Sequence, residues 1–197
     1  MGFGRKTTYY STPVWEFNLP TGWSCPFAKE CLVKVDRSSG KQVNSSNAYK
    51  CYAAGAERFP GVRESRWNNF EQAKLGVLPD LPKRANAVRI HSSGDFFSQA
   101  YFDLWLDYVR KYPETTFWAF TKSVRYWVKR LDVMPSNLIM TASVGGGEDH
   151  LIEQYNLRYA IVVPTPEKAM ELGLPIDDND DHARVDNGSF ALVDNNA

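Results

Sequence analysis

The stretch AVRIHSSGDFFSQAYFDLWLDYVRKYPETTFWAFTK, residues 87–122, changes its hydrophobic period twice. Over 87–91, Val88 and Ile90 alternate with Arg89 and His91, which is the period-two pattern of a strand with one apolar face. From Phe97 onward the apolar side chains fall on one helical stripe, Phe97, Tyr101, Leu104, Trp105, Tyr108 and Val109, and Pro113 stands just beyond its end. Residues 116–121 return to a β-rich run. A strand, a helix and a second strand in this order form a βαβ unit, whose strands are parallel and whose crossover is right-handed.

The same alternation continues outward on both sides. Downstream, strands are predicted over 138–144 and 159–163, with a final strand over 189–193. A helix carrying Val124, Trp127, Val128 and Leu131 is closed by Pro135, and weaker helices are predicted over 148–155 and 167–172. Upstream, 14–19 reads as a short strand and 67–75 as a helix. The fold class expected is α/β: a partial (βα) barrel of five or six mostly parallel strands with helices outside. Residues 1–197 are read as a single domain. Within it, 13–66 holds the first strand and a cysteine-bearing loop, 67–176 the βα repeats, and 177–197 an acidic loop and the final strand.

Composition sets limits on what such a fold can be. With 197 residues, 43% of them hydrophobic, the chain can bury a core without disulfides. Lys plus Arg equals Asp plus Glu at 23 each, so no global field draws the protein to nucleic acid. The longest fully apolar run, 160–163, is far below the ~20 residues that a membrane helix needs, and no apolar signal segment opens the chain. Three cysteines, an odd number, fit a reducing compartment better than a disulfide scaffold. The expectation is a soluble, cytoplasmic protein that avoids membranes. The acidic run Asp177, Asp178, Asp180 and Asp181 has His182 and Gly188 where a calcium loop needs Gly and Glu, so it reads as a solvated loop.

Ligands of parallel α/β folds bind at the carboxyl ends of the strands, and polar residues accumulate there. One strand delivers His91, Ser92, Ser93 and Asp95, the next Thr121 and Lys122, and the third Ser143 with Gly145, Gly146 and Gly147. His91, Asp95 and Lys122 are the candidate catalytic residues, and Ser143, Gly145, Gly146, Gly147 and Glu148 the candidate cofactor-binding set. Each also has a plain reading: an interior histidine, a cap for the helix beginning near Ser98, a solvent-facing lysine, a flexible turn.

Cys25, Cys31 and Cys51 are the candidate metal ligands. The gaps between them are five and nineteen residues, unlike the two close pairs usual for structural zinc, and no histidine lies between them. Three thiolates suit a [4Fe-4S] cluster with one iron left for a different ligand, and His91 is the candidate fourth ligand from the protein. Zinc completed by a distant histidine, and buried thiols with no metal, are the competing readings.

The strings N-L-P-T-G-W-S-C-P at 18–26, K-C-Y-A-A-G at 50–55, V-R-I-H-S-S-G-D-F at 88–96, F-W-A-F-T-K-S at 117–123 and D-D-N-D-D-H-A at 177–183 resemble the gene product 88 proteins of phages. The resemblance spans nearly the whole chain and implies a phage protein acting in the host cytoplasm. A broader likeness is to radical S-adenosylmethionine enzymes. It implies a partial barrel with three cysteines after the first strand holding a [4Fe-4S] cluster, S-adenosylmethionine on the fourth iron, and Tyr52 as the aromatic residue beside the last cysteine. Gly146, Gly147 and Glu148 resemble that superfamily's methionine-binding G-G-E, two strands later than usual, and the cysteine spacing is wider than its C-x3-C-x2-C. The function expected is an iron-sulfur protein, radical-SAM-like if it is an enzyme. The alternatives are a non-catalytic redox or sensing protein and a zinc-stabilised interaction protein. A small-molecule ligand or a redox partner is the expected partner.

Overall fold

The computed structural model describes residues 1–6, 13–43, 51–185 and 187–194. Its strands are β1 (Gly4–Lys6), β2 (Val14–Phe17), β3 (Lys34–Val35), β4 (Gln42–Val43), β5 (Ala87–Ile90), β6 (Thr116–Thr121), β7 (Leu138–Ser143), β8 (Tyr159–Val163) and β9 (Phe190–Val193). Its helices are α1 (Pro60–Lys74), α2 (Gln99–Arg110), α3 (Val124–Val128), α4 (His150–Gln154) and α5 (Pro166–Glu171). Residues 44–50 of the loop between Cys31 and Cys51, Lys50 of the K-C-Y-A-A-G string included, lie outside the described residues. Among the described residues no helix is long and apolar enough to cross a membrane.

The main sheet has seven strands in the order β1-β2-β5-β6-β7-β8-β9. From β2 to β9 every adjacent pair is parallel, and the order follows the chain without reversal. Right-handed crossovers in one direction send the helices to one face. The mostly parallel α/β sheet expected from the sequence is therefore present, with one correction. An antiparallel edge strand, β1, adds to the six parallel ones; its G-R-K has no alternation to read and is exposed along its length. The sheet is open, since β1 and β9 are its two ends and do not pair with each other.

Both faces of the sheet are covered. On the helix side, Phe17, Val88, Ile90, Phe117, Ala119, Leu138, Met140 and Ala142 pack against Phe102, Trp105, Leu106 and Val109 of α2. On the opposite side Val14, Trp118, Ala160 and Phe190 pack with Ala183. Burial on two faces explains why F-W-A-F in β6 is continuously apolar. The second cover is the acidic segment, which is not the solvated loop expected. Asp180 pairs with Arg89 at 3.0 Å and accepts from Trp118 Nε1 at 3.2 Å, and buried Asp177 accepts from the Ala183 amide at 2.9 Å. Asp178 and Asp181 are exposed.

Helix α1 starts at Pro60, ahead of the predicted 67, because proline at a first helical position has no N–H to leave unpaired. Its buried residues are Arg63, Arg66, Asn69 and Ala73, so no apolar stripe announces it. Helix α2 is capped by Ser98, whose Oγ accepts from the Tyr101 amide at 3.2 Å.

Candidate metal and ligand site at the strand ends

Beyond β2 the chain is held by glycine turns and polar staples. Gly22 has a φ of 72°, and a Cβ there would lie 2.3 Å from the Val33 carbonyl oxygen, so no other residue fits without a shift. The Cys25–Cys31 stretch then runs along the glycine loop after β7. Gly147 N donates to Phe27 O at 2.8 Å, Glu30 N donates to Gly145 O at 3.3 Å, and Ala28 and Gly146 form a β-bridge. Cys51 precedes a 3-10 helix, Tyr52–Arg58, that carries the fully buried Glu57. Glu57 Oε1 accepts from Thr21 N at 2.7 Å, Thr21 Oγ1 at 2.6 Å and Arg66 Nη1 at 2.9 Å, and Arg66 also donates to Ala53 O. The Thr21 bonds to Glu57 tie the segment of Cys51 to that of Cys25, and the buried ion pair with Arg66 holds both to α1.

The three cysteines converge on one cavity of about 560 Å³ at the carboxyl edge of the sheet. Cys25, Cys31 and Cys51, all half-buried, line it together with Glu30, Ser93, Asp95, Lys122 and Ser143, while Arg89, Phe120, Val162, Pro164 and Leu192 line it elsewhere. Burial pushes the Cys25 thiol well above its usual range, Asp95 and the other two thiols add to this, and the Gly22 amide opposes it. Burial also raises Cys31 against the opposing charge of Lys122, and raises Cys51 against the amides of Ala53 and Ala54. The thiols are thus neutral by themselves and would lose their protons to solvent on binding a cation placed among them. Backbone N–H groups of Gly22, Ala53 and Ala54 are aimed at the sulfurs of Cys25 and Cys51. Among the described residues, no three His, Cys, Asp or Glu side chains are gathered as they would be around a single metal ion.

The other predicted site residues are in place, and most are engaged. Asp95 does not cap α2. Its Oδ1 accepts from Thr121 Oγ1 at 2.6 Å and Phe96 N at 2.7 Å, and its Oδ2 accepts from Lys122 N at 2.8 Å. Burial nevertheless lifts its carboxyl to about 6. Lys122 Nζ does not face solvent freely, since it donates to Ser143 Oγ at 2.9 Å, Ser143 O at 3.1 Å and Val144 O at 2.6 Å, stitching β6 to β7. Glu148 is buried and bound by the Arg125 backbone amide and Nε. The amides of Gly145 and Gly146 donate to Asp149. The glycine loop therefore shapes the Cys25–Cys31 stretch, and of the predicted cofactor-binding set only Ser143 lines the cavity.

His91 departs from the alternation that placed it beside Arg89. Its backbone is left-handed, with a φ of 63°, and its ring packs among Phe96, Tyr101 and Trp105 with Nε2 2.8 Å from the Tyr101 hydroxyl. Burial lowers its pKa to about 3, so the ring is neutral, and its Nδ1 is buried without a partner. Sequence reasoning missed Arg89 as a cavity residue and Thr21, Glu57 and Arg66 as staples. The only signal for Arg89 was its place on the polar side of β5.

No curated protein and no solved structure matches this chain. A family model described as gene product 88 matches residues 2–195, a span that holds all three cysteines and every strand of the sheet. The chain belongs to the gene product 88 family.

Proposed function

We propose that Cys25, Cys31 and Cys51 hold a [4Fe-4S] cluster whose fourth iron faces the strand-end cavity, and that the protein is a radical-SAM-like enzyme of phage origin working in the host cytoplasm. The observation that carries this reading is the convergence of three thiols, from two segments of the chain, on one cavity at the carboxyl ends of parallel strands. In a cubane cluster each thiolate binds a different iron, so its cysteines stand farther apart than ligands sharing one ion. The six parallel strands in chain order are read here as the wall of a partial (βα) barrel. When bound, such a cluster supplies an electron at low potential to a sulfonium such as S-adenosylmethionine.

The chain's own residues would hold and shield that chemistry. The amides of Gly22, Ala53 and Ala54 would donate to the sulfurs, and the charge of Lys122, fixed by three acceptors, would favour the Cys31 thiolate. Asp95 and Lys122, with their bonds already made, would act by positioning the loops. A non-catalytic redox or sensing protein is the second reading. It is favoured by His91 Nδ1, buried without a partner, which as a fourth ligand would close the cluster.

Anaerobic purification with iron, sulfide and zinc analysis tests the cluster. About four irons and four sulfides per chain are expected, with loss or conversion in Cys51→Ala; stoichiometric zinc without labile sulfide overturns it. S-adenosylmethionine should then perturb the reduced cluster's EPR spectrum, and reductant should release methionine and deoxyadenosine. No change on adding it, with a shifted reduction potential in His91→Ala, would select the second reading.

A further inference from the structure

We infer that the cavity also receives an organic anion, with its carboxylate or phosphate on Arg89 and its apolar body against Phe120, Val162, Pro164 and Leu192. This rests on the cavity being a ligand site and not on the identity of the metal group. A volume of about 560 Å³ lies within the roughly 300–1,000 Å³ of small-molecule sites.

Arg89 stands in the middle of the sheet on the face away from the helices, in register with Glu16 of β2 and Trp118 of β6. Its guanidinium lies over the Phe120 ring at 5.1 Å, pairs with Asp180 at 3.0 Å, and donates to the Tyr52 hydroxyl at 3.4 Å. Arg89 and Phe120 line the cavity, whereas Asp180 and Glu16 do not. Asp180 therefore holds the guanidinium from outside the cavity, with the Phe120 ring packed against it. A planar cation fixed in this way loses little freedom when it pairs with an anion. A purely structural ion pair explains the site less well, because buried pairs are weak sources of stability and this one borders an apolar cavity wall. Asp194 also lines the cavity, so the sign of the preferred ligand is the property to test.

The probes are octanoate, octyl phosphate, octanol and octylammonium, titrated calorimetrically into the full chain under anaerobic conditions with iron assayed on the same sample. Octanoate or octyl phosphate should bind about ten-fold or more tighter than octanol, the gain expected of one charge-assisted pair. Arg89→Met should abolish that preference while octanol still binds, and Arg89→Lys should retain part of it. Equal binding of all four, a preference for octylammonium, or an undiminished preference in Arg89→Met overturns the proposal. Should Arg89→Met not fold, Arg89→Lys decides: its octanoate preference over octanol should be smaller than that of the unaltered chain, and an undiminished preference overturns the proposal. Lack of iron in the sample would defeat the cluster and leave this result standing.

Discussion

On the helix side of the sheet, Trp105 is fully buried with Phe17 and Tyr108 at ring-centroid distances of 5.4 and 5.2 Å, within the large apolar core. In the cysteine-bearing stretch before α1, the fully buried anchor is instead a carboxylate, Glu57, surrounded by Thr21 and Arg66. The two regions are ordered by different forces. The first gains from removing apolar surface from water, which is additive over many contacts. The second has only a small apolar cluster, Val33, Val35 and Ala54, and depends more on a few directional bonds, each costly to break. A region of the second kind can rearrange locally around a bound group while the first keeps the sheet intact.

The largest expected effect tests the packing side. Trp105→Ala should lower global stability by about 3–5 kcal/mol, read as a shift in the urea midpoint by fluorescence and circular dichroism together. If the two probes separated, the helix side would not be the common core of the molecule.

Glu57→Ala should cost about 3 kcal/mol by stranding Arg66, and the loss should be regional. Hydrogen exchange should quicken over 19–43 and 51–58 while β5, β6 and β7 stay protected. Uniform loss of protection would erase the distinction between the two regions.

His91 and Asp95 sharpen the comparison through pH, since they sit where the regions meet. His91 titrates near 6.5 when unfolded and about 3 when folded, so its contribution is whole above 6.5 and is lost as pH falls toward 3. Asp95 is raised from 3.8 to about 6, so the folded chain keeps a proton that the unfolded chain has released, and its effect has the opposite sign: stability is gained as pH falls from 6 to 3.8. The histidine shift is the larger, so acid should destabilise. His91→Phe should cost about 1 kcal/mol at pH 7 through the lost Tyr101 bond and should flatten the fall in urea midpoint between pH 6.5 and 4. An unaltered acid slope would remove His91 as its cause.

The smallest effect is expected at Gly145, whose φ of 94° and a Cβ 2.5 Å from Glu30 Oε2 make Gly145→Ala unfavourable by about 1 kcal/mol. The Glu30 carboxylate can swing aside, so the change should loosen the Cys25–Cys31 stretch in hydrogen exchange and lower the urea midpoint only slightly.

Much of the architecture was legible in 87–122 and its neighbours. Strands over 116–121 and 159–163 fall where the alternation predicts them, and the parallel pairing of β5 with β6 follows from the helix between them. The convergence of the cysteines with His91, Asp95, Lys122 and Ser143 on one edge was also legible, since strand ends in a parallel sheet share a side. The polar half of the molecule was not. Helix α1 buries arginines and an asparagine, so the hydrophobic period that reveals α2 is missing there.

Local periodicity thus determined which segments are strands and helices, because backbone geometry repeats over a few residues and side chains register it directly. Tertiary structure alone decided what the polar side chains do. One left-handed residue turned His91 into the aromatic layer, and the glycine loop was engaged by the cysteine stretch and Asp149. The acidic run, apparently solvated, became the cover of the second sheet face through Asp180 and Asp177. Hydrogen bonds and ion pairs act over about 3 Å and in particular directions, so their partners depend on how distant parts of the chain meet, which no short window of sequence contains.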